Sequence, residues 1–464
     1  MNISAVILAA GLGTRMKSKK PKVLFQLAGE SMIAHVIRAV RETSPTKIIP
    51  IVGHSKELVI ENIKKAHADY TGFEFAVQAE QKGTGHAVMQ AKNALLASGE
   101  GLCFILCGDT PLLCGEILNK LLDAHLKSGA AATVLTTKVL SPKGYGRIVR
   151  DTAGDISTIV EERDACDEVR KINEINTGVY IFSTLKLCEA LSMLKNDNDQ
   201  HEYYLTDVIA IFKNAGYIVR GFFEADDRLS MGINNRYELA IAERIMRETI
   251  NKRHMLNGVT IIDPAATYIE SGVTISNDVS IYPATHIKGK TFIGEGCVIG
   301  PDTSIESSSI GRNCIIKNSV IEESEIADNV KIGPYSHLRP QTRLSEGVHV
   351  GNYVEIKKSV IARNTKANHL SYIGDASIGE DCNIGAGTIT CNYDGINKNK
   401  TTLGDRVFIG SNSSLVAPIE IGSGALIAAG SVITKDVPSD ALAIERNEMK
   451  IKENYMKRRR NEKK

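Results

Sequence analysis

Between Leu8 and Leu24 the chain reads Leu-Ala-Ala-Gly-Leu-Gly-Thr-Arg-Met-Lys-Ser-Lys-Lys-Pro-Lys-Val-Leu, and these residue types suit one task, the gripping of a polyphosphate. The apolar run Ala5 to Leu8 has the composition of a buried strand. Gly11 and Gly13 permit a sharp turn and bring backbone N–H groups close to an anion. Arg15 and Lys22 add fixed positive charge. Two familiar phosphate loops are excluded by spelling. No Gly-x-x-x-x-Gly-Lys-Ser/Thr follows the strand, and Met16 stands where a dinucleotide fingerprint has its third Gly.

Further polar residues follow the apolar runs. Gly108 and Asp109 close the run Leu102–Leu106. A carboxylate near phosphates suits Mg²⁺, which takes one or two carboxylates plus phosphate oxygens; an Asp before Thr-Pro also suits a helix N-cap. Gln78 offers the donor and acceptor needed to read a base edge, with Gly83, Thr84 and Gly85 beside it for backbone contact. Gly146, Glu161 and Asn176, read as loop residues, supply an amide, a carboxylate and a carboxamide suited to sugar hydroxyls and an N-acetyl group. Asn234 precedes a long helical pattern.

The second half has its own group: Arg339, Lys357, His369, Tyr372, Asn392 and Tyr393. They gather around two interruptions in an otherwise regular repeat, one between Ile356 and Ile378 and one at Cys391–Lys400, a polar loop ejected from the repeat. A passive stalk gives no reason for such a gathering.

The elements that must position these residues are of two kinds. Up to about residue 230, the apolar runs Lys47–Val52, Leu102–Leu106, Ala132–Thr137 and Val179–Phe182 alternate with amphipathic segments such as Met32–Arg41 and Glu116–Lys127. That alternation predicts an α/β domain with a mostly parallel, Rossmann-like sheet and ligands at the carboxyl ends of its strands. Residues 235–257 read as a linker helix with Leu239, Ala242, Ile245 and Met246 on one face. From residue 258 the period becomes six. Ile269, Ile275, Ile281, Ile287, Ile293, Ile299 and Ile305 recur without a slip, as do Ile326 to Ile356 and Leu403 to Ile433. This is the hexapeptide signature of a parallel β-helix, in which residues about 18 apart stack inside one prism. The expected domains are therefore 1–234, 235–257 and 258–464.

Composition narrows the function class. The 464 residues carry a net charge of +2 with 24% charged side chains, so no basic excess points to nucleic acid. No apolar run approaches the roughly 20 residues of a membrane span, and no secretory leader is read at the N-terminus. Nine scattered cysteines, odd in number and without a Cys-x-x-Cys pair, read as reduced thiols of a cytoplasmic protein. The basic tail from Glu448 to Lys464 reads as solvated and unstructured.

The string Gly11-x-Gly13-Thr14-Arg15-Met16…Pro21-Lys22 resembles the signature of sugar-nucleotide pyrophosphorylases. Taken in order, the strings to about residue 236 resemble bacterial N-acetylglucosamine-1-phosphate uridylyltransferase. The second-half strings resemble the acetyltransferase half of the same bifunctional family. The resemblance implies acetylation of glucosamine 1-phosphate from acetyl-CoA, then transfer of UMP from UTP to N-acetylglucosamine 1-phosphate. The product, UDP-N-acetylglucosamine, feeds peptidoglycan and lipopolysaccharide synthesis, hence the cell wall and cell shape. By motif, Gly11, Gly13, Thr14 and Lys22 would hold the UTP phosphates, Leu8, Ala9, Ala10 and Gly108 would belong to the same UTP- and UDP-N-acetylglucosamine-binding set, and Gln78, Gly83 and Thr84 would read uracil. Gly146, Glu161 and Asn176 would contact the sugar, Asp109 and Asn234 would hold Mg²⁺, and Arg15 and Lys22 would stabilise charge during in-line displacement. In the second half His369 would be the base that deprotonates the sugar ammonium, with Glu355 orienting it. Arg339, Lys357 and Tyr372 would bind the sugar phosphate, and Asn383, Asn392 and Tyr393 would complete the pocket. Ala386, Ser411, Ala429 and Arg446 would line the acetyl-CoA side. The resemblance also implies a left-handed β-helix and a homotrimer. Two rivals share parts of this pattern: another sugar-1-phosphate nucleotidyltransferase with a regulatory β-helix, and a scaffolding subunit of a translation-factor exchange complex.

Overall fold

Strand-forming runs followed by amphipathic helices can bury both faces of a sheet, and a computed structural model, which describes residues 2–462, has that arrangement in its first unit, Met1–Met246. The strands are β1 (Ile3–Leu8), β2 (Lys47–Val52), β3 (Ala76–Val77), β4 (Leu102–Cys107), β5 (Ala132–Lys138), β6 (Arg147–Arg150), β7 (Ile156–Val160), β8 (Glu174–Ser183) and β9 (Val219–Phe223). They lie in the order β9-β5-β8-β4-β1-β2-β3, with β6 and β7 forming a hairpin against β8. Neighbours along the main order are parallel except β8, which runs against both β4 and β5.

Alternate residues of each strand enter two separate cores. Ala5, Ile7, Ile48, Phe104 and Leu106 pack with α1 (Met32–Arg41), α2 (Lys56–Ala66) and α5 (Gly115–Ser128). Val6, Ile49, Ile51, Cys103 and Ile105 pack on the other face with α3 (Thr84–Met89), α4 (Lys92–Ser98), α7 (Thr184–Leu191) and α8 (Asp207–Asn214). The single-turn α6 (Asp167–Arg170) lies outside these cores. Helix α1 starts where the sequence predicts because Ser31 caps it, its side chain accepting from the Ala34 N–H at 3.3 Å. The segment Glu174–Gly178 is not a loop. It is the first half of β8, and a bulge between Asn176 and Tyr180 breaks the two-residue alternation that would have revealed it.

Helix α9 (Arg236–Leu256) begins with a capping box. Asn235 Oδ1 accepts from the Glu238 N–H at 2.9 Å, and Glu238 carboxylate oxygens accept from Asn234 N and Asn235 Nδ2, each at 2.6 Å. Its predicted apolar face, Leu239, Ala242, Ile245 and Met246, packs on Met16, Phe25, Met32 and Ile233. The division between the two compact units falls inside this helix, the second unit being Arg247–Lys464.

The second unit is a parallel β-helix built mostly of two- and three-residue strands. Every residue of the three hexad runs is buried, from Ile269 to Ile305, Ile326 to Ile356 and Leu403 to Ile433. Ile281 stacks on Ile299, 18 residues on, but Ile299 stacks on Ile316 and Ile316 on Ile332, so some coils are a residue or two short. The first expected interruption is of this kind. Between Ile356 and Ile378 the coil continues through buried Ile361, Ala367 and Ile373, and the nine-residue strands His349–Lys357 and Lys366–Gly374 pair along their length. One lost residue shifts the hexad phase and looks like a break in the sequence. The second interruption is a true insertion: Ile378 stacks on Leu403, 25 residues on, and the excess is an exposed loop whose base is closed by Asn399 N donating to Asn392 O at 2.7 Å. The tail also departs from expectation, since Tyr455–Asn461 forms a helix, α10, exposed on all sides; Lys463 and Lys464 lie outside the described residues.

Two candidate active sites

In the first unit the carboxyl ends of β1, β3 and β4 open onto a cleft of about 270 Å³. It is lined by Leu8, Ala9, Ala10, Gly11, Lys22, Gln78, Gly83, Thr84 and Asp109 from the sequence prediction. The loop after β1 turns at Gly13, whose φ of +60° is left-handed; Gly11 has no such φ and open space where a Cβ would sit, so it leaves room near the chain but does not make the turn. Thr14 and Arg15 form the short 3₁₀ turn that follows. Gly108 is held against β1 by its N–H donating to Leu8 O at 2.9 Å.

The strongest polar feature is a cation between two oxygens. Lys22 Nζ pairs with Asp109 Oδ2 and donates to Asn234 Oδ1 at 3.1 Å, and Asn234 Oδ1 also accepts from Arg15 at 2.8 Å. Asn234 is brought there by the α9 cap and by Ile233 N donating to Asp109 O at 2.9 Å. The Asp109 carboxylate therefore faces the cleft and is not a helix cap; α5 begins only at Gly115. A carboxylate and a carboxamide oxygen already converge on one positive charge, a donor set that fits Mg²⁺ in the company of phosphates.

Gln78 is buried, its Nε2 directed to Gly83 O at 3.2 Å and near His86 Nδ1 at 3.1 Å. Gly83 has φ +100° and a Cβ there would lie 2.6 Å from Tyr203 O, so only Gly fits. The Gly146, Glu161 and Asn176 trio lies together: a Cβ on Gly146 would be 3.5 Å from Asn176 Cβ and 3.6 Å from Glu161 Oε2. Burial raises the Glu161 carboxyl pKa, opposed by Thr206 Oγ1 donating to Oε1 at 3.1 Å and reinforced by nearby Asp164, Asp207 and Glu202. Asn176 Nδ2 donates to the Tyr180 hydroxyl at 2.6 Å. Burial and the Asp109 carboxylate push the Cys107 thiol up to about 12, so it stays protonated and is no nucleophile.

Sequence reasoning left out Val23, Gln81, Ala87, Cys107 and Glu202 from the cleft lining. Gln81 carries a signal, since it sits in the same turn as Gln78 and its Nε2 donates to Ala10 O at 3.2 Å. Glu202 carries none, because it arrives from a distant loop.

In the second unit, register does the positioning. Asn352 pairs with His369, and the same ladder continued through Lys366–Asn383, Asn383–Phe408 and Phe408–Leu426 stacks Ala386, Ser411 and Ala429 above them in one column. Arg446 closes the column, donating to Ala429 O at 3.1 Å. His369 is exposed, and its Nδ1 lies 3.0 Å from Asn352 Oδ1. That oxygen only accepts, so the neutral imidazole carries its proton on Nδ1 and presents the Nε2 lone pair as a base. Glu355 does not orient His369. It belongs to the neighbouring column with Tyr372 and accepts from Arg339 at 2.9 Å.

Arg339 and Lys357 occupy adjacent coils, and Lys357 is held below the usual ammonium range by Lys398, with Arg339 adding to the effect. Three cations thus share one region, and Lys398 comes from the inserted loop. Buried Asn392 donates to Asp375 Oδ2 at 2.6 Å, and a Cβ on Gly374 would meet both Tyr372 Oη and Asn392 Nδ2 within 3 Å. Tyr393 is exposed in the loop, its hydroxyl donating to Gly395 O at 2.6 Å. Asn383 lines a separate shallow hollow with Lys366 and Asp381, and no contact brings it to Asn392.

Residues 4–226 match the nucleotidyl transferase family, residues 290–321 the hexapeptide repeat of succinyl-transferase, and residues 320–440 the GMPPB C-terminal domain. Among curated proteins, the chain is 50% identical over 456 residues to the bifunctional protein GlmU of Heliobacterium modesticaldum, covering 98% of each chain. It is 51% identical over 455 residues to that of Streptococcus mutans, again 98% of each, and 50% identical over 460 residues to that of Geobacillus thermodenitrificans, 99% of each.

Proposed function

The chain belongs to the family of bifunctional GlmU proteins, with a nucleotidyltransferase domain followed by a left-handed hexapeptide β-helix, and from that premise we propose which residues perform each of its two reactions. It is both an N-acetylglucosamine-1-phosphate uridylyltransferase and a glucosamine-1-phosphate N-acetyltransferase.

For uridylyl transfer, the β1–α1 loop and Lys22 hold the UTP phosphates, Gln78, Gly83 and Thr84 hold uracil, and Gly146, Glu161 and Asn176 hold the acetylated sugar. The sugar phosphate oxygen attacks the α-phosphorus in line and pyrophosphate leaves, with no covalent enzyme intermediate. Asp109 and Asn234 would hold Mg²⁺, which would supply charge neutralisation on the phosphates. Lys22, paired with Asp109 and Asn234, and Arg15, bonded to Asn234, set two positive charges beside the phosphate site. The observation that carries this reading is the convergence of Asp109 and Asn234 oxygens on one cation.

For acetyl transfer, Nε2 of His369 takes the ammonium proton so that the nitrogen can attack the thioester carbonyl. Arg339, Lys357 and Lys398 receive the sugar phosphate. The column Ala386–Ser411–Ala429 lies beside the extended coenzyme and Arg446 meets it at the end; Asn383 contributes from outside the Tyr372–Asn392 cluster. The working molecule is a cytoplasmic trimer. His369, Ser411 and Ala429 are exposed on a single chain, and a base for deprotonating an amine needs a second wall against water. Exposed Tyr335 and Tyr353, stacked at 5.3 Å beside Leu370, offer an apolar strip for that wall.

Metal removal separates the two reactions. Treatment with EDTA is expected to abolish pyrophosphate release from UTP and to leave thiol release from acetyl-CoA, with glucosamine 1-phosphate as acceptor, unchanged. Uridylyl transfer that survives chelation would remove the metal from Asp109 and Asn234.

A further inference from the structure

One loop far from the phosphate grip touches both halves of the nucleotidyltransferase cleft. Residues 198–206 carry two consecutive side-by-side contacts: Leu205 N donates to Thr84 Oγ1 at 3.1 Å, and Thr206 Oγ1 donates to Glu161 Oε1 at 3.1 Å. Just before them, Tyr203 N donates to Lys82 O at 2.8 Å and Gly85 N donates to Tyr203 O at 2.7 Å. The 203–206 segment is thus a strut between the turn assigned to the base and the carboxylate assigned to the sugar. Glu202, its first neighbour, lines the cleft itself.

The turn that leads into the strut is ordered by one carboxamide. Asn198 Oδ1 accepts from Gln200 N at 3.2 Å and from Glu202 N at 3.1 Å, while its Nδ2 donates to Glu202 O at 2.6 Å. Gln200 Nε2 adds a bond to the Tyr204 hydroxyl at 2.8 Å. No group of Asn198 is bonded to any residue assigned to substrate. An Asn side chain that bonds the backbone two and four residues on, on both its atoms, fixes where the chain leaves the turn.

We propose that Asn198 is a positioning residue for uridylyl transfer, setting the 203–206 strut so that the base-reading turn and the sugar carboxylate are placed together. This rests on the assignment of Thr84 and Glu161 made above. Its consequence is that one substitution outside the cleft moves the apparent affinities for both substrates in step.

The test is steady-state kinetics of the full chain with Asn198→Ala. The KM for UTP and the KM for N-acetylglucosamine 1-phosphate are both expected to rise about tenfold, with kcat within about threefold. The thermal unfolding midpoint and the acetyl-transfer rate stay at parental values. Asn198→Ser, whose hydroxyl accepts from the same N–H groups more weakly, falls between the two. Unchanged KM values, or a rise in only one of them, would overturn the proposal. Thr84→Ala and Glu161→Ala run alongside separate it from the site assignment. If they impair uridylyl transfer while Asn198→Ala does not, the positioning role alone fails; if they too are without effect, the site assignment has failed.

Discussion

His369 has an exposed ring and one fixed partner, and that pair decides how the base works. With Nδ1–H committed to Asn352 Oδ1, removal of that oxygen leaves the tautomer and ring orientation unset. Asn352→Ala is expected to lower kcat for acetyl transfer by roughly tenfold, with uridylyl transfer unchanged, measured by thiol release and pyrophosphate release on the same preparation. The sequence pointed to His369 itself through its place in a polar string. It did not point to Asn352, because a partner 17 residues away is a neighbour only once the coil length is known, and here one coil is a residue short. Glu355 is close to Asn352 in sequence, but in a strand a shift of three residues moves a side chain to another column. At Asp109 the sequence left cation ligand and helix cap open; the Lys22 pair removes the cap.

Elements that turn or protrude carry the next set of expectations. Gly83→Ala forces a side chain into a left-handed backbone and against Tyr203 O, so it should cost about 1–3 kcal/mol of stability and raise the KM for UTP, read by urea unfolding and initial rates. In the β-helix, removing residues 393–399 would restore an 18-residue coil, and Asn399 N already meets Asn392 O across the gap. That deletion should abolish acetyl transfer, through loss of Tyr393 and Lys398, and leave the unfolding midpoint within about 3 °C of the parent, since every residue lost is exposed except half-buried Asn399. Hexad spacing made the coil legible because each sixth residue faces a dry interior. Bulges, short coils and docked loops were not legible: the bulge in β8 hid half a strand, and the strut at 203–206 is defined by partners about 120 and 45 residues away.

At the scale of the whole molecule, each unit buries a histidine in neutral form. Burial pushes His125 in the first unit and His254 in the second down to about 4, His254 helped by Arg253. An unfolded histidine titrates near 6.5, so between about pH 6.5 and 4 the unfolded chain binds more protons than the folded one. Stability contributed by these two rings is therefore complete above about pH 6.5 and is lost as pH falls towards 4. The urea midpoint should drop between pH 7.5 and pH 5, and His125→Gln or His254→Gln should flatten that drop. Composition and periodicity were enough to expect an α/β unit and a hexapeptide β-helix, since each kind of element repeats its own period over many residues. What joins chemistry to those frames, the cap that delivers Asn234 and the column that stacks Ala386, Ser411 and Ala429 on His369, depends on register, which no local pattern contains.

The central claim is that two reactions run at two separate sets of residues in one chain, and crossing two single substitutions tests it most directly. Asp109→Ala and His369→Ala are assayed in parallel for pyrophosphate release from UTP and thiol release from acetyl-CoA. The account predicts that Asp109→Ala loses the first activity by about 10²-fold or more and keeps the second, and that His369→Ala does the reverse. A folded Asp109→Ala or His369→Ala protein that loses both activities together, or neither, would contradict it.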